Sequence, residues 1–242
     1  FVSLWARLWA PRVGQPGSTR HMRHILVILL SEMGSIVLAG PLFAALRQRH
    51  PGATVHVLQL RKNQEVSLLL GLASPQHLHA LDDSSGLRLL RDLWLVCVAL
   101  RRLPLDAVVD CELFSRISSL IAYCSGASLR SGFTAHTQEG LYRGSFINRA
   151  IPYNPYQHIS KQFLALVDAL HADSMPRNKR AQIRAMPAAS ELAVNFDPSE
   201  LRAYRSKLLG DHAVLGGRKI VLLYAGGGLL PERAWPAAHY AR

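Results

Sequence analysis

The sequence predicts an α/β fold, a parallel sheet with helices on both faces, and three observations carry that expectation. Short, continuous runs of branched apolar residues recur at residues 24–30, 54–60 and 105–111, as strands buried on both faces require. Segments of helical period fall between them, so strands and helices alternate. The first strand runs straight into the turn Ser31-Glu32-Met33-Gly34-Ser35, at the strand end where Rossmann-like sheets hold their ligands.

Each element follows from local chemistry. Residues 24–30 (HILVILL) predict the first strand and residues 36–48 its helix. Pro51-Gly52 punctuates, and residues 54–60 (TVHVLQL) complete a βαβ unit. A helix over 65–70, a short strand over 77–81 and a long amphipathic crossover helix over 86–101 follow. Residues 105–111 (LDAVVDC) are a strand, and 114–124 a helix with Ile117, Leu120 and Ile121 on one face, stopped by Gly126. Residues 129–133 return as a strand.

From Thr134 to Pro155 the pattern dissolves into polar, glycine and aromatic residues, the length of a functional loop or lid beside a cleft. Residues 156–171 restore helical periodicity, and the Pro- and charge-rich residues 173–197 read as a linker. Beyond it come a helix over 198–209 with Asp197 as N-cap and Gly210 past its end, a strand over 219–224 (KIVLLY), and the first turns of a helix over 235–242. The domains expected are an N-terminal extension (1–21), a Rossmann-like domain (22–172), the linker, and the incomplete start of a second such domain (198–242). A lone strand and a partial helix cannot bury their own faces.

Lys and Arg outnumber Asp and Glu 28 to 16, a formal charge of +12, which favours phosphosugars, an acidic membrane surface or nucleic acid. The basic residues are scattered and no aromatic residues interleave with them, which reads as a solvated face and not a nucleic-acid groove. Cys97, Cys111 and Cys124 stand far apart in the sequence, against a zinc site or a disulfide framework and in keeping with the cytoplasm. The eleven histidines lack a matching carboxylate set, so no metal is expected. The apolar run 25–46 is broken by Glu32 and Gly40-Pro41, so strand, turn and helix explain it better than a membrane span. Residues 1–20 mix Trp5 and Trp9 with Arg7 and Arg12 and are either an unstructured extension or a piece lying on a membrane surface.

The turn around Gly34 is neither a G-x-G-x-x-G fingerprint nor a Walker A loop, which weakens dinucleotide oxidoreduction and nucleoside triphosphate hydrolysis. It is either a tight turn or a loop whose amides and helix start face an anion or a sugar hydroxyl. Glu32 is either an acid for chemistry or a helix cap. Gly226, Gly227 and Gly228 follow the last predicted strand, as a plain strand-to-helix turn or as a phosphate cradle.

Three segments together resemble glycosyltransferase family 9, the ADP-heptose:lipopolysaccharide heptosyltransferase-like group. They are ILVILLSEMGSIVLAGPLFAALRQRHPGATVHVL, LDAVVDCELFSRISSLIAYCSGASLRSGF and KIVLLYAGGGLLPERAWPAAHYAR. They are similar to the family's opening strand with its M-G-D type loop, its D-x-Q and R-x-G-F segments, and the [KR]-x-W-P that opens its second domain. The stretch from Asn148 through Tyr153 and His158 has the same look.

The resemblance implies two Rossmann-like domains facing across a cleft, a GT-B-like architecture of which this chain holds the N-terminal half with the C-terminal domain truncated. It implies transfer of a heptose or related sugar from a nucleotide-diphosphate donor, ADP-heptose first among candidates, to a lipopolysaccharide or other polysaccharide acceptor. No cofactor and no nucleic-acid partner are implied, and the location is the cytoplasm, with peripheral attachment at the inner membrane face. Gly34, Glu112 and Asn148 would meet the acceptor. Gly226, Gly227, Gly228 and Arg233 would hold the donor diphosphate.

Ser35 departs from the pattern, because it stands where the family has its acidic residue, thought to be the base, and a serine hydroxyl is too weak a base unaided. Either Glu32 takes the proton, or Asp110 or Glu112 does, or the activity is lost or changed. Glu112 also departs from the family's more common Gln. A glycan- or phosphosugar-binding module without turnover is the alternative, and no turnover is expected from these 242 residues alone.

Overall fold

The computed structural model describes residues 21–30, 32–113, 115–134, 146–172, 194, 196–221, 223 and 234–240. Its strands are β1 (His24–Leu29), β2 (Thr54–Leu60), β3 (Leu78–Leu81), β4 (Ala107–Asp110), β5 (Leu129–Thr134) and β6 (Arg149–Pro152). Its α-helices are α1 (Met33–Leu38), α2 (Gly40–Arg49), α3 (Gln64–Leu69), α4 (Gly86–Arg102), α5 (Arg116–Cys124), α6 (Ile159–His171), α7 (Pro198–Asp211) and α8 (Ala237–Tyr240). Contacts divide the chain into two units, Phe1–Asn195 and Phe196–Arg242.

In the first unit the six strands pair in the order β3-β2-β1-β4-β5-β6, every pair parallel. β1 is central, and Ile25 to Leu29 are each 1% exposed or less. Side chains alternate across a strand, so Ile25, Val27 and Leu29 enter one core with Leu42, Phe43 and Leu46 of α2 and Phe163, Leu166 and Val167 of α6. Leu26 and Ile28 enter the other with Val96 and Leu100 of α4 and Ile121 and Ala122 of α5. A strand apolar on both sides is the solution for a sheet covered on both faces, which is the fold class the alternating pattern predicts.

Several expectations need correction. The single helix expected over 36–48 starts earlier and is two helices, because Pro41 has no N–H to give the preceding turn and instead occupies the first turn of α2. The stretch Thr134 to Pro155 contains β6, paired to β5 through Ser131↔Arg149; Pro152 is tolerated because β6 is an edge strand. On α5, Ile121 is buried, but Ile117 and Leu120 are 48% and 45% exposed. The buried side also carries Ser118 and Ser119, and the Ser119 hydroxyl donates to the Ser115 carbonyl.

Gly126 does end α5, with φ +78 in the left-handed region. Cys97 on α4 and Cys124 on α5, distant in sequence, are hydrogen-bonded through their thiols, which raises the Cys97 pKa and lowers that of Cys124. A row of histidines crosses three strands: His56 Nε2 lies 3.4 Å from His24 Nδ1, and His56 Nδ1 3.4 Å from His79 Nε2.

In the second unit, Asp197 caps α7 by accepting from Ser199 N at 2.6 Å. The helix runs through Gly210 to Asp211, so Gly210 lies inside it and not past its end. The expected strand over 219–224 is absent from the described residues 219–221 and 223. Ile220 and Val221 are 57% and 88% exposed, as an apolar run remains when no neighbouring strand pairs with it. Trp235 packs on Tyr240 with ring centroids 5.1 Å apart. No helix among the described residues is long and apolar enough to cross a membrane.

Candidate functional site

β1 has β2 on one side and β4 on the other, and the chain proceeds outward in both directions from that pair. The connections therefore leave β1 and β4 toward opposite sides, opening a crevice beyond their carboxyl ends where open α/β sheets bind ligands. Two segments form its lips: residues 32–35 after β1 and residues 111–113 after β4.

The first lip is the start of α1. Glu32 occupies the N-cap position with extended backbone, and its carbonyl accepts from Ser35 N at 2.9 Å, which closes the first turn. The Glu32 carboxylate makes no capping hydrogen bond, so the helix-cap use of this acid is not the one adopted. Glu32 and Gly34 are exposed and Ser35 is half-buried. A Cβ on Gly34 would meet nothing within 4 Å; the glycine leaves room at the crevice and is not demanded by backbone strain.

The second lip is locked to the first. Glu112 Oε1 accepts from the Leu30 amide at 2.6 Å, and Cys111 N donates to the Ile28 carbonyl at 3.1 Å. Asp110, fully buried, accepts from Glu112 N at 3.1 Å through Oδ1 and from the Ser118 hydroxyl at 2.8 Å through Oδ2. Both its oxygens are thereby engaged, one shaping the lip and one fastening α5. At the far end of the same strand pair Asp106 plays a matching part, accepting from Arg23 N and His24 N at 2.7 and 3.1 Å.

The structure thus gathers Glu32, Gly34, Ser35, Asp110 and Glu112 at one crevice, and leaves Asn148 out of it. Asn148 N donates to the Arg130 carbonyl, its Oδ1 accepts from Arg130 N at 2.8 Å, and its Nδ2 donates to the Ser128 carbonyl at 2.8 Å. That places it at the amino end of β5, the opposite edge of the sheet, with its amide occupied as a clamp that aligns β6. Gly226, Gly227, Gly228 and Arg233 lie outside the described residues.

One residue at the crevice edge escaped the sequence reading. Gln59, in register with Leu29 near the carboxyl end of β2, is fully buried. Its Oε1 accepts from the Ser67 hydroxyl at 2.5 Å, and its Nε2 has no hydrogen-bond partner among the described residues. A glutamine within the apolar run TVHVLQL was the available signal.

The strand order and the crevice beyond β1 and β4 define a Rossmann-like α/β domain. Solved structures of this fold include several glycosyltransferases. The glycosyl transferase family 9 structure from Veillonella parvula is similar at TM-score 0.65 and 18% identity, over 90% of this chain and 57% of that one. An E. coli ADP-heptose lps heptosyltransferase II is similar at TM-score 0.62 and 18% identity, over 90% and 59%. The E. coli heptosyltransferase WaaC with ADP is similar at TM-score 0.51 and 17% identity, over 64% and 49%. The chain therefore spans about half to three-fifths of the length of these structures, and at such identities the likeness is one of fold. No protein-family model matches the sequence, and no curated protein sequence matches it.

Proposed function

We propose that this chain forms the acceptor-side domain and the opening of the donor-side domain of a glycosyltransferase, moving a heptose or related sugar from a nucleotide diphosphate to a hydroxyl of a lipopolysaccharide-like acceptor. In the reaction the acceptor oxygen bonds to the anomeric carbon, the bond from that carbon to the diphosphate breaks, and the hydroxyl proton passes to a base. The observation that carries the reading is the state of the three acids. Asp110 is buried with both oxygens engaged and Glu112 holds the Leu30 amide, whereas Glu32 stands exposed at the lip. Glu32 is therefore the base of this proposal, and Asp110 and Glu112 position the second lip. Gly34 leaves room for the acceptor, while Gly226 to Gly228 and Arg233 are assigned the diphosphate.

The fold likeness to heptosyltransferases, one of them described with ADP, supports the donor class. The acceptor is a glycolipid at an anionic membrane face. The test is sugar transfer from ADP-heptose by the intact protein: Glu32→Gln is expected to lower kcat by at least about a hundredfold with unchanged thermal stability. Full activity in that variant refutes Glu32 as the base. Arg233→Ala is expected to weaken ADP binding by calorimetry, and equal affinity refutes the diphosphate assignment.

Ser35 favours a second reading, a binding module without turnover. It sits within the first turn of α1, one helical step from Glu32, where an acid would be well placed. Ser35→Asp raises transfer in an enzyme with a weakened base and does nothing in a pure binder.

A further inference from the structure

Helix α4 is apolar on two sides and, among the described residues, has a neighbour on one. Leu89, Leu93, Val96 and Leu100 pack inward on the sheet. On the outward side Leu87, Leu90 and Trp94 are 83%, 65% and 63% exposed. Their spacing of three and then four residues sets them in one line along the helix. Leu95, 41% exposed, lies on the adjacent line with Arg91 and Arg102. Helix α5 packs beside α4 over the same face of the sheet and adds the exposed Ile117 and Leu120 to the same outward surface. Helices apolar all round are normally buried, and large contiguous apolar patches mark interaction surfaces.

The charges around this patch say what covers it. Arg88, Arg91 and Arg102 of α4 and Arg116 of α5 are exposed. Asp92, the sole acid on α4, is held 3.3 Å from Arg61, and Asp82 lies 3.7 Å from Arg88. Lys62 and Asp83 pair with each other at 2.7 Å. The rim is therefore cationic on balance. A second copy docking by the same face would set these arginines against one another, whereas an anionic surface complements them.

We infer that the outward face of α4 and α5 docks on an anionic phospholipid bilayer. Leu87, Leu90 and Trp94 enter the boundary between headgroups and acyl chains, and Arg91 and Arg102 pair with lipid phosphates. Both helices begin after carboxyl ends of strands, α4 after β3 and α5 after β4. Their first turns therefore share the sheet edge that carries the crevice, so docking holds the crevice close to the lipid surface. This deepens the glycolipid-acceptor reading by naming the face that meets the bilayer. It uses none of the residues assigned to transfer, so each fails separately.

The experiment is co-sedimentation of the 242-residue chain with phosphatidylethanolamine–phosphatidylglycerol vesicles, against phosphatidylcholine vesicles. The expected result is binding to the anionic vesicles only. The triple variant Leu87→Ser, Leu90→Ser, Trp94→Ser is expected to bind roughly tenfold less or weaker still, and Arg91→Glu with Arg102→Glu to lose the preference for anionic lipid. The five substituted side chains are all exposed, on the same line or its neighbour, and circular dichroism checks that each variant stays folded; should the triple variant unfold, the arginine pair carries the test. No binding by the parent chain, or undiminished binding by the folded variants, overturns the inference. So does concentration-dependent self-association in sedimentation velocity that the triple variant abolishes while the parent ignores vesicles. In the intact protein, sugar transfer to a soluble acceptor analogue is expected to be unchanged by either set of substitutions.

Discussion

The Glu112 carboxylate accepts a 2.6 Å hydrogen bond from the Leu30 amide, joining the segment after β4 to the end of β1 across the crevice. Leu30 has no further ladder partner at that point, so the carboxylate continues the sheet's hydrogen bonding by one step where the backbones diverge. Removing a charged acceptor from a partly buried amide costs about 1–3 kcal/mol. Glu112→Ala is expected to lower stability by that amount in urea denaturation, at constant m-value. Glu112→Gln keeps an acceptor oxygen and is expected to lose less than half as much. Equal stability of Glu112→Ala and the parent chain refutes this role.

Two glycines divide into a structural one and a spacious one. Gly126 has φ +78 and an added Cβ would collide with Arg101 Nη1, so Gly126→Ala is expected to cost about 1–2 kcal/mol from the left-handed conformation, with displacement of Arg101 adding to it. Gly34 lies in a helix with open space around it, so Gly34→Ala is expected to hold or raise the melting temperature. If Gly34→Ala lowers stability instead, the residue is a packing glycine and its place in the crevice loses its meaning.

The elements that were legible in the sequence are those whose signal is local. β1 and β2 show as unbroken apolar runs because both their faces are covered, and Asp197 shows as a cap because the serine two residues on donates back to it. β6 was hidden because Arg149–Pro152 is four residues long and ends in proline, acceptable only on an edge that the sequence does not reveal. Ile117 and Leu120 misled because a helix has two sides and composition does not say which one meets the sheet. Asn148 misled for a topological reason: in a parallel sheet, residues preceding a strand and residues following one lie at opposite edges. Of the site, the lip after β1 was readable from its glycine and acid, whereas the tie from Glu112 to Leu30 joins residues 82 apart and exists only once the strands pair.

Asp110 is expected to matter to stability before it matters to chemistry. Ser118→Ala takes one donor from a fully buried carboxylate, a loss of about 1–3 kcal/mol, measured as a fall in the urea midpoint. The loop after β4 also loosens if α5 is released, so hydrogen exchange at Glu112 is expected to speed up in the variant. Unchanged exchange there, in a destabilised variant, means that Asp110 fastens α5 alone and does not shape the lip.

His56 gives the fold a pH dependence of definite sign. Burial first, then the positive charges of His79, His77 and His24, lower its pKa from 6.5 to about 4. The folded state therefore holds His56 neutral at a pH where the unfolded chain has already taken up the proton. Between those two values the unfolded state binds more protons, so stability falls as pH falls from 6.5 toward about 4 and levels off below. His50, His79 and His171 are lowered too, each chiefly by burial, and act in the same direction. For His56 alone the loss is at most roughly 3 kcal/mol. Melting temperatures measured across this range are expected to drop on acidification, and His56→Gln, which has no proton to gain, to drop less steeply. If the two slopes coincide, His56 is protonated in the folded chain, and the row of histidines across β1, β2 and β3 accommodates charge that its burial argues against.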